Sequence, residues 1–214
     1  MTLPQLNAFL LKRARTATYL AALALLAVTA FLASNANGMN YAQLANNSGF
    51  LAFTFLCLAL AVTPIRKLWP AFSLNPSLYR SRRALGVTAF GFALVHAALQ
   101  SGVQYGVSVE RFLFVASGNG VFFGVIAFAM LLVLASISTD WAVRKMGAKW
   151  FTVQKLAYLA YPLIFLHAIT AGSDFARINA YSASFVLVAA LTLLLEAARV
   201  YKERVEKKPE QIAG

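Results

Sequence analysis

Long apolar segments alternate with short polar connections along the whole chain. Six of these segments approach the roughly 20 residues that an α-helix needs to cross a bilayer. They cover about residues 17–34, 49–65, 84–104, 119–138, 152–172 and 180–200. The pattern predicts an all-α integral membrane protein, a six-helix transmembrane bundle that forms one domain over residues 1–214.

Three of these segments have features that affect their boundaries. The second should end near Pro64 and Arg66, because proline and charge together stop an apolar helix. The fifth contains Pro162, whose missing N–H frees a carbonyl and predicts a kink that a surrounding bundle can accommodate. The basic residues before the first segment are also typical of a signal peptide, but the length of the apolar run favours a retained helix.

The composition agrees with a membrane protein. Apolar residues make up 60% of the chain and charged residues 12%, and the mean hydropathy is +0.68. These values exclude an ordinary soluble domain. The single cysteine, Cys57, lies in an apolar segment, so the sequence has no disulfide framework. It also contains no glycine-rich nucleotide loop, catalytic triad, carboxylate pair or zinc motif.

The basic residues predict the orientation in the membrane. Of the 19 lysines and arginines, all but Arg111 and Arg177 lie at the termini or in the second and fourth connections. This asymmetry places both termini and the basic connections in the cytoplasm. The net charge of +12 is therefore a signal of topology and of attraction to anionic lipid. It gives no support to binding of nucleic acid.

Histidine provides the candidate chemistry. The chain has two histidines, His96 and His167, and both lie inside predicted spans. An ionisable ring inside a membrane is costly unless it is satisfied, so it indicates a function. The two helices run in the same direction, and the histidines lie about 18 and 22 Å along them at about 1.5 Å per residue. Two imidazoles at one depth, in the outer half of the membrane, predict axial ligation of one haem iron.

A haem-free interpretation remains open. A lone membrane histidine often packs through a hydrogen bond or belongs to a proton path, which would make the chain a transporter or a scaffold. Small residues on the histidine faces could leave room for a flat macrocycle, but such residues also mediate ordinary helix packing. These residues are Ala89, Ala93, Ala160 and Ala171.

An ordered series of short motifs runs through the middle of the chain. It comprises Thr63-Pro64-Ile65-Arg66, Arg82-Arg83-Ala84-Leu85-Gly86, Phe90 with His96 six residues later, Leu134-Ala135-Ser136-Ile137-Ser138-Thr139, Met146-Gly147-Ala148-Lys149-Trp150, and Gln154-Lys155-Leu156-Ala157-Tyr158 with His167 thirteen residues after Gln154. This series resembles the ferric-reductase-like transmembrane domain family over roughly residues 45–170. Within that family it is similar to the haem-binding membrane subunits of bacterial periplasmic protein-methionine-sulfoxide reductase systems.

The resemblance implies a cofactor, partners and a location. His96 and His167 would be the axial ligands of a b-type haem in a multi-pass protein of the bacterial inner membrane. The electron acceptor would be a periplasmic molybdenum-dependent reductase. The electrons would come from a cytoplasmic flavin reductase or from quinone.

One departure from the family pattern limits the number of haems. Where the family usually has a histidine, this chain has Gln154, whose amide is a poor iron ligand. The matching position on the third helix holds Arg82 or Arg83. The comparison therefore predicts one outer haem and excludes an inner pair of histidines. Arg80, Arg82 and Arg83 could instead bind the phosphate of a flavin such as FMN, although the positive-inside rule alone also explains them.

The outer connections indicate what the chain does not do. Arg111, Arg177, Asn119 and Asn179 could bind haem propionates or could simply mark the membrane interface. The connections offer no catalytic residue, so the chain should transfer electrons without reducing a sulfoxide itself. Two further functions stay open, namely a ferric (metal) reductase and a haem-free transporter or scaffold.

Overall fold

A computed structural model describes residues 3–105, 108, 110, 120–172, 175 and 179–212, and most of these residues are helical. The long helices are α1 (Leu3–Leu32), α2 (Tyr41–Leu68), α3 (Asn75–Tyr105) and α8 (Ala180–Ile212). The shorter ones are α4 (Val121–Ser136), α5 (Asp140–Met146), α6 (Ala148–Gln154) and α7 (Leu156–Ala171). The helical character predicted from the apolar pattern is therefore confirmed.

The described helices include at least four that could cross a membrane. The stretches Arg13–Leu32, Tyr41–Leu68, Asn75–Gly102 and Ala180–Glu206 are long and apolar enough by themselves. A fifth is present if α4 and α5 are taken together, although their axes differ by 89°. The chain thus has the architecture of a multi-pass membrane protein.

Two helices differ in detail from the sequence prediction. The second helix does not stop near Pro64 but continues to Leu68, with Pro64 buried inside it. The predicted helix over 152–172 is divided into α6 and α7 at Lys155. Around Lys155 the backbone bonds link residues three apart, from Lys155 N–H to Thr152 O and from Tyr158 N–H to Lys155 O. This tighter turn interrupts the α-helical pattern, whereas α7 continues through Pro162.

A short β-hairpin connects α1 and α2. Strands β1 (Ser34–Asn35) and β2 (Gly38–Met39) pair antiparallel. The Asn35 side chain accepts a hydrogen bond from Asn37 N–H at 2.8 Å, and Gly38 has φ +109°. Asparagine and glycine at these positions stabilise a tight reversal that a helix cannot make.

Helix α2 lies at the centre of the bundle, and aromatic rings join it to its neighbours. Phe53 of α2 has no exposed surface and stacks on Phe185 of α8, with ring centroids 4.3 Å apart. It also stacks on Tyr161 of α7 at 5.4 Å. The Tyr161 hydroxyl donates a hydrogen bond to Ala189 O at 2.8 Å. This group fixes α7 and α8 against α2.

Basic residues from separate parts of the chain lie at one end of the bundle. Arg83 near the start of α3 contacts Asp140 at the start of α5. Lys202 near the end of α8 donates a hydrogen bond to Lys67 O, near the end of α2, at 3.0 Å. Because α2 and α3 are joined by a short connection, these contacts gather the basic segments at the same end.

Phe53→Ala tests the aromatic contacts around α2. In a water-soluble core, Phe→Ala costs about 3–5 kcal/mol. Here we expect about 2 kcal/mol, because helices separated in a membrane still have lipid around them and lose mainly packing. Unfolding in detergent micelles measures the change. Phe31→Ala is the control, since Phe31 is 78% exposed; an equal loss of stability in both variants would contradict the central role of Phe53.

Candidate functional site

The two histidines form one site between α3 and α7. The ring centroids of His96 and His167 are 6.2 Å apart, and their planes make an angle of 75°. Both side chains are partly buried. The two helices are distant in sequence, so the fold brings together the only two imidazoles of the chain.

Each ring is held by a backbone carbonyl of another helix. The distance from His96 Nδ1 to Ala45 O is 2.8 Å, and that from His167 Nδ1 to Gly120 O is 3.1 Å. A carbonyl oxygen can only accept a hydrogen bond, so Nδ1 carries the hydrogen in both rings. In a neutral imidazole this leaves Nε2 with a lone pair that can bind a metal.

The carbonyl partners place the site along the bundle. Ala45 lies in the first turns of α2, and Gly120 directly precedes α4. The basic residues lie at the other ends of these helices, near Lys67 and Asp140. The histidine pair is therefore close to the end of the bundle that is opposite the basic residues.

The chemistry of the pair fits haem better than a free metal ion. Among the residues with described positions, no group of three or more His, Cys, Asp or Glu could hold an ion. A structural zinc site takes four protein ligands, whereas haem iron needs only axial ligands from the protein. The ring centroids of His96 and His167, 6.2 Å apart, are close enough that both imidazoles would reach one haem iron.

Comparison with known protein families shows to which family the chain belongs. The model of the family described as ferric reductase like transmembrane component matches residues 48–165, which is more than half of the chain. The chain belongs to this family. The match includes His96 and ends two residues before His167.

Several curated proteins are similar to this family member. It is 36% identical over 113 residues to the protein-methionine-sulfoxide reductase heme-binding subunit MsrQ of Brucella ovis, which is 52% of this chain and 49% of the relative. The subunit of the same name from Brucella melitensis is 35% identical over an equal length, with the same coverage. The chain spans about half the length of the curated relatives it matches. No solved structure matches it significantly.

Arg82, Arg83 and Gln154, which stand at the positions of the family's second histidine pair, lie at the basic end of this ferric-reductase-like bundle. Arg83 is bound to Asp140, and its Nη1 atom is buried without a hydrogen-bond partner among the described residues. Arg82 interacts electrostatically with Tyr158 of α7. The Nε2 atom of Gln154 is also buried without a partner in the described part of the chain. An anion that binds Arg83 would have to compete with the carboxylate of Asp140.

Three of the four residues predicted on the outer side lie outside the described part of the structure. These are Arg111, Arg177 and Asn119. Asn179 is described, and its Oδ1 atom accepts a hydrogen bond from Ser182 N–H at 2.8 Å. This bond caps the first turn of α8, which gives Asn179 a structural role.

The alanines near the histidines mainly serve packing. Ala89 and Ala160 are fully buried and belong to the central core, whereas Ala171 is exposed. Small side chains at Ala89 and Ala160 therefore let the helices approach each other closely.

Sequence reasoning missed a polar cluster beside His96. Gln100, one turn further along α3, donates a hydrogen bond from Nε2 to Asn46 Oδ1 at 3.4 Å, and its Oε1 atom is buried without a partner among the described residues. The hydroxyl of Tyr181 donates to Asn46 O at 2.8 Å. The cluster joins α2, α3 and α8 next to the imidazole pair. The four-residue spacing between His96 and Gln100 was the available signal in the sequence.

Asp140 joins three parts of the basic end. Its carboxylate contacts Arg83 of α3 and lies 3.5 Å from the guanidinium of Arg15 of α1. The hydrogen bond and the charge of Arg83 hold the pKa of Asp140 below its ordinary value of 3.8. The carboxylate is thus stabilised in its charged form.

Asp140→Asn should lower the midpoint of thermal unfolding at neutral pH, because both ion pairs lose their negative partner. A carboxylate with a lowered pKa stabilises the fold above its ordinary pKa, and this contribution disappears as the pH falls through the folded-state pKa. The difference between the wild type and Asp140→Asn should therefore shrink below pH 3.8. Glu206→Gln, which removes an exposed pair with Lys202, is the control and should have little effect. A difference that is independent of pH would contradict this role of Asp140.

Proposed function

We propose that this chain is a haem-binding membrane subunit that passes electrons to a periplasmic protein-methionine-sulfoxide reductase. The pair of imidazoles carries the proposal: the ring centroids are 6.2 Å apart, and each Nδ1 atom is bound to a backbone carbonyl. The Brucella relatives are named as heme-binding subunits of protein-methionine-sulfoxide reductase, which supports the choice of partner.

His96 and His167 would hold one b-type haem through their Nε2 atoms. When bound, the haem supplies reversible one-electron redox chemistry at its iron. The carbonyls of Ala45 and Gly120 orient the two rings. The number of haems is one, because Gln154 stands where a second pair would need a histidine and its amide is a poor iron ligand.

The bundle crosses the bacterial inner membrane six times, with both termini in the cytoplasm. The gathering of basic residues at one end, which includes the contacts of Arg83 with Asp140 and of Lys202 with Lys67, supports this orientation. The histidines are near the opposite end, so the haem is on the periplasmic side. Electrons arrive from quinone or from a cytoplasmic flavin reductase, and Arg82 and Arg83 lie at the end where FMN would bind.

Substrate chemistry belongs to the partner, a periplasmic molybdenum-dependent reductase. Each histidine would have both ring nitrogens occupied, Nδ1 by a backbone carbonyl and Nε2 by the haem iron, so neither would be free to act on a sulfoxide. The partner docks close to the periplasmic end and accepts electrons one at a time. The sulfoxide is reduced on the partner.

A ferric reductase is the second candidate function. The description of the family itself, ferric reductase like transmembrane component, favours it. In that case the chain would reduce extracytoplasmic iron without a protein partner.

Replacement of either histidine tests the ligands. The purified wild type should show a low-spin, six-coordinate b-type spectrum and a pyridine-haemochrome stoichiometry near one haem per chain. His96→Ala and His167→Ala should each abolish the low-spin state, because one axial ligand is lost. Phe31→Ala, which changes an exposed side chain of α1 and leaves both imidazoles in place, is the control. If both histidine variants keep the full low-spin spectrum, or if the wild type binds two haems, the assignment is wrong. A wild type without any haem would favour the transporter or scaffold.

The electron acceptor is tested by stopped-flow mixing of the reduced protein. A periplasmic sulfoxide reductase should reoxidise the haem rapidly, and the protein alone should reduce no methionine sulfoxide. A ferric chelate serves as the competing acceptor. Reoxidation by the chelate but never by the reductase would reject the methionine-repair function and support the ferric reductase.

A further inference from the structure

Each histidine ring lies against a glycine of the helix that binds it. An ideal Cβ atom at Gly49 of α2 would lie 2.9 Å from His96 Nδ1 and 3.1 Å from its Cε1. A Cβ atom at Gly124 of α4 would lie 2.8 Å from His167 Nδ1 and 2.9 Å from its Cε1 and Cγ. At these distances a Cβ atom would force the ring to move, so each ring occupies the space that a Cβ atom would fill.

The two contacts share one arrangement. Gly49 follows Ala45 by four residues, and Gly124 follows Gly120 by four residues. In both cases the carbonyl that accepts the hydrogen bond from histidine Nδ1 lies four residues before the glycine. Ala45 lies inside α2, whereas Gly120 is the left-handed residue that directly precedes α4, with φ +78°. Residues four apart lie one above the other along a helix, so a ring bound to the earlier carbonyl lies against the later residue, where the glycine stands.

We propose that Gly49 and Gly124 are positioning residues that seat the two imidazoles. Each glycine lets a ring approach the carbonyl four residues earlier, and this bond keeps the hydrogen on Nδ1 and the lone pair on Nε2. The chain builds this seat twice, on α2 for His96 and on α4 for His167. The seats set the tautomer and the orientation of both rings before any ligand binds. The role of the seats in haem binding rests on the function proposed above. The prediction that both rings carry their hydrogen on Nδ1 does not depend on that function.

The first experiment reads the tautomers without haem. The chain is produced in cells that make no haem, with ¹⁵N-labelled histidine, and its ring nitrogens are observed by NMR in detergent micelles. Since the chain has two histidines, the spectrum contains two rings. We expect both to be protonated at Nδ1 and not at Nε2, which is the opposite of the preference of free histidine. Protonation at Nε2 in both rings would overturn the proposal.

Glycine-to-alanine variants test the seats themselves. Gly49→Ala should displace only the His96 ring, and Gly124→Ala should displace only the His167 ring. In each variant the displaced ring should lose the NMR signal of a protonated Nδ1 atom. Loss of a partner that orients a ligand histidine lowers metal affinity by about 10- to 100-fold, so we expect haem affinity to fall by that factor and part of the low-spin signal to disappear.

The chain contains matched controls. Gly86 and Gly91 lie in α3, and a Cβ atom at either would meet nothing within 4 Å. Gly86→Ala and Gly91→Ala should leave the tautomers, the haem affinity and the low-spin spectrum unchanged, and should stabilise the helix slightly because alanine favours helices. If Gly49→Ala and Gly124→Ala behave like these controls, the seats do not exist.

The outcomes separate the two proposals. If the wild type binds no haem but its Nδ1–H tautomers are present and are lost in the matching variants, the seats stand and the haem function fails. If the wild type binds one low-spin haem that both variants hold equally well, the function stands and the seats fail. If one glycine variant does not accumulate as folded protein, the tautomers of the wild type and the behaviour of the other variant still test whether the seats exist.

Discussion

Polar groups inside this bundle must find their hydrogen-bond partners within the protein, because lipid offers none. The main-chain carbonyl is the acceptor that the chain uses again and again. His96 and His167 bind Ala45 O and Gly120 O, and the hydroxyl of Tyr161 binds Ala189 O. Each of these bonds connects two helices, so the need to satisfy a polar side chain also fixes how the helices pack.

The need to satisfy polar groups within the protein is met differently at the two ends of the bundle. Near the starts of α2 and α4, the polar side chains are two imidazoles and a few neutral groups such as Gln100. At the other end, guanidinium groups meet carboxylates, as Arg83 meets Asp140. Helix α3 carries both kinds of chemistry, since His96 lies 13 residues beyond Arg83. At about 1.5 Å per residue the two positions are about 20 Å apart along the helix.

Apolar length and residue counts predicted the helical class and the meeting of the two histidines, because both follow from a regular rise along straight helices. The division at Lys155 was not predictable, since it depends on a local turn in a segment that stays apolar. The continuation of α2 through Pro64 depends on burial of the ring by neighbouring helices, which the sequence does not display. The carbonyl partners of the imidazoles were missed for a related reason: any residue has a carbonyl, and no side-chain pattern marks the one that is used.

The lengths of α4 and α7 have a consequence for the surrounding lipid. Each helix has 16 residues, which corresponds to about 24 Å at 1.5 Å per residue. The hydrocarbon core of a typical bilayer is about 30 Å thick. These two helices pack against each other, so the shortfall falls on one flank of the bundle. If both helices cross the bilayer at these lengths, the acyl chains beside them would have to compress or the headgroups would have to move inward on the flank that carries His167.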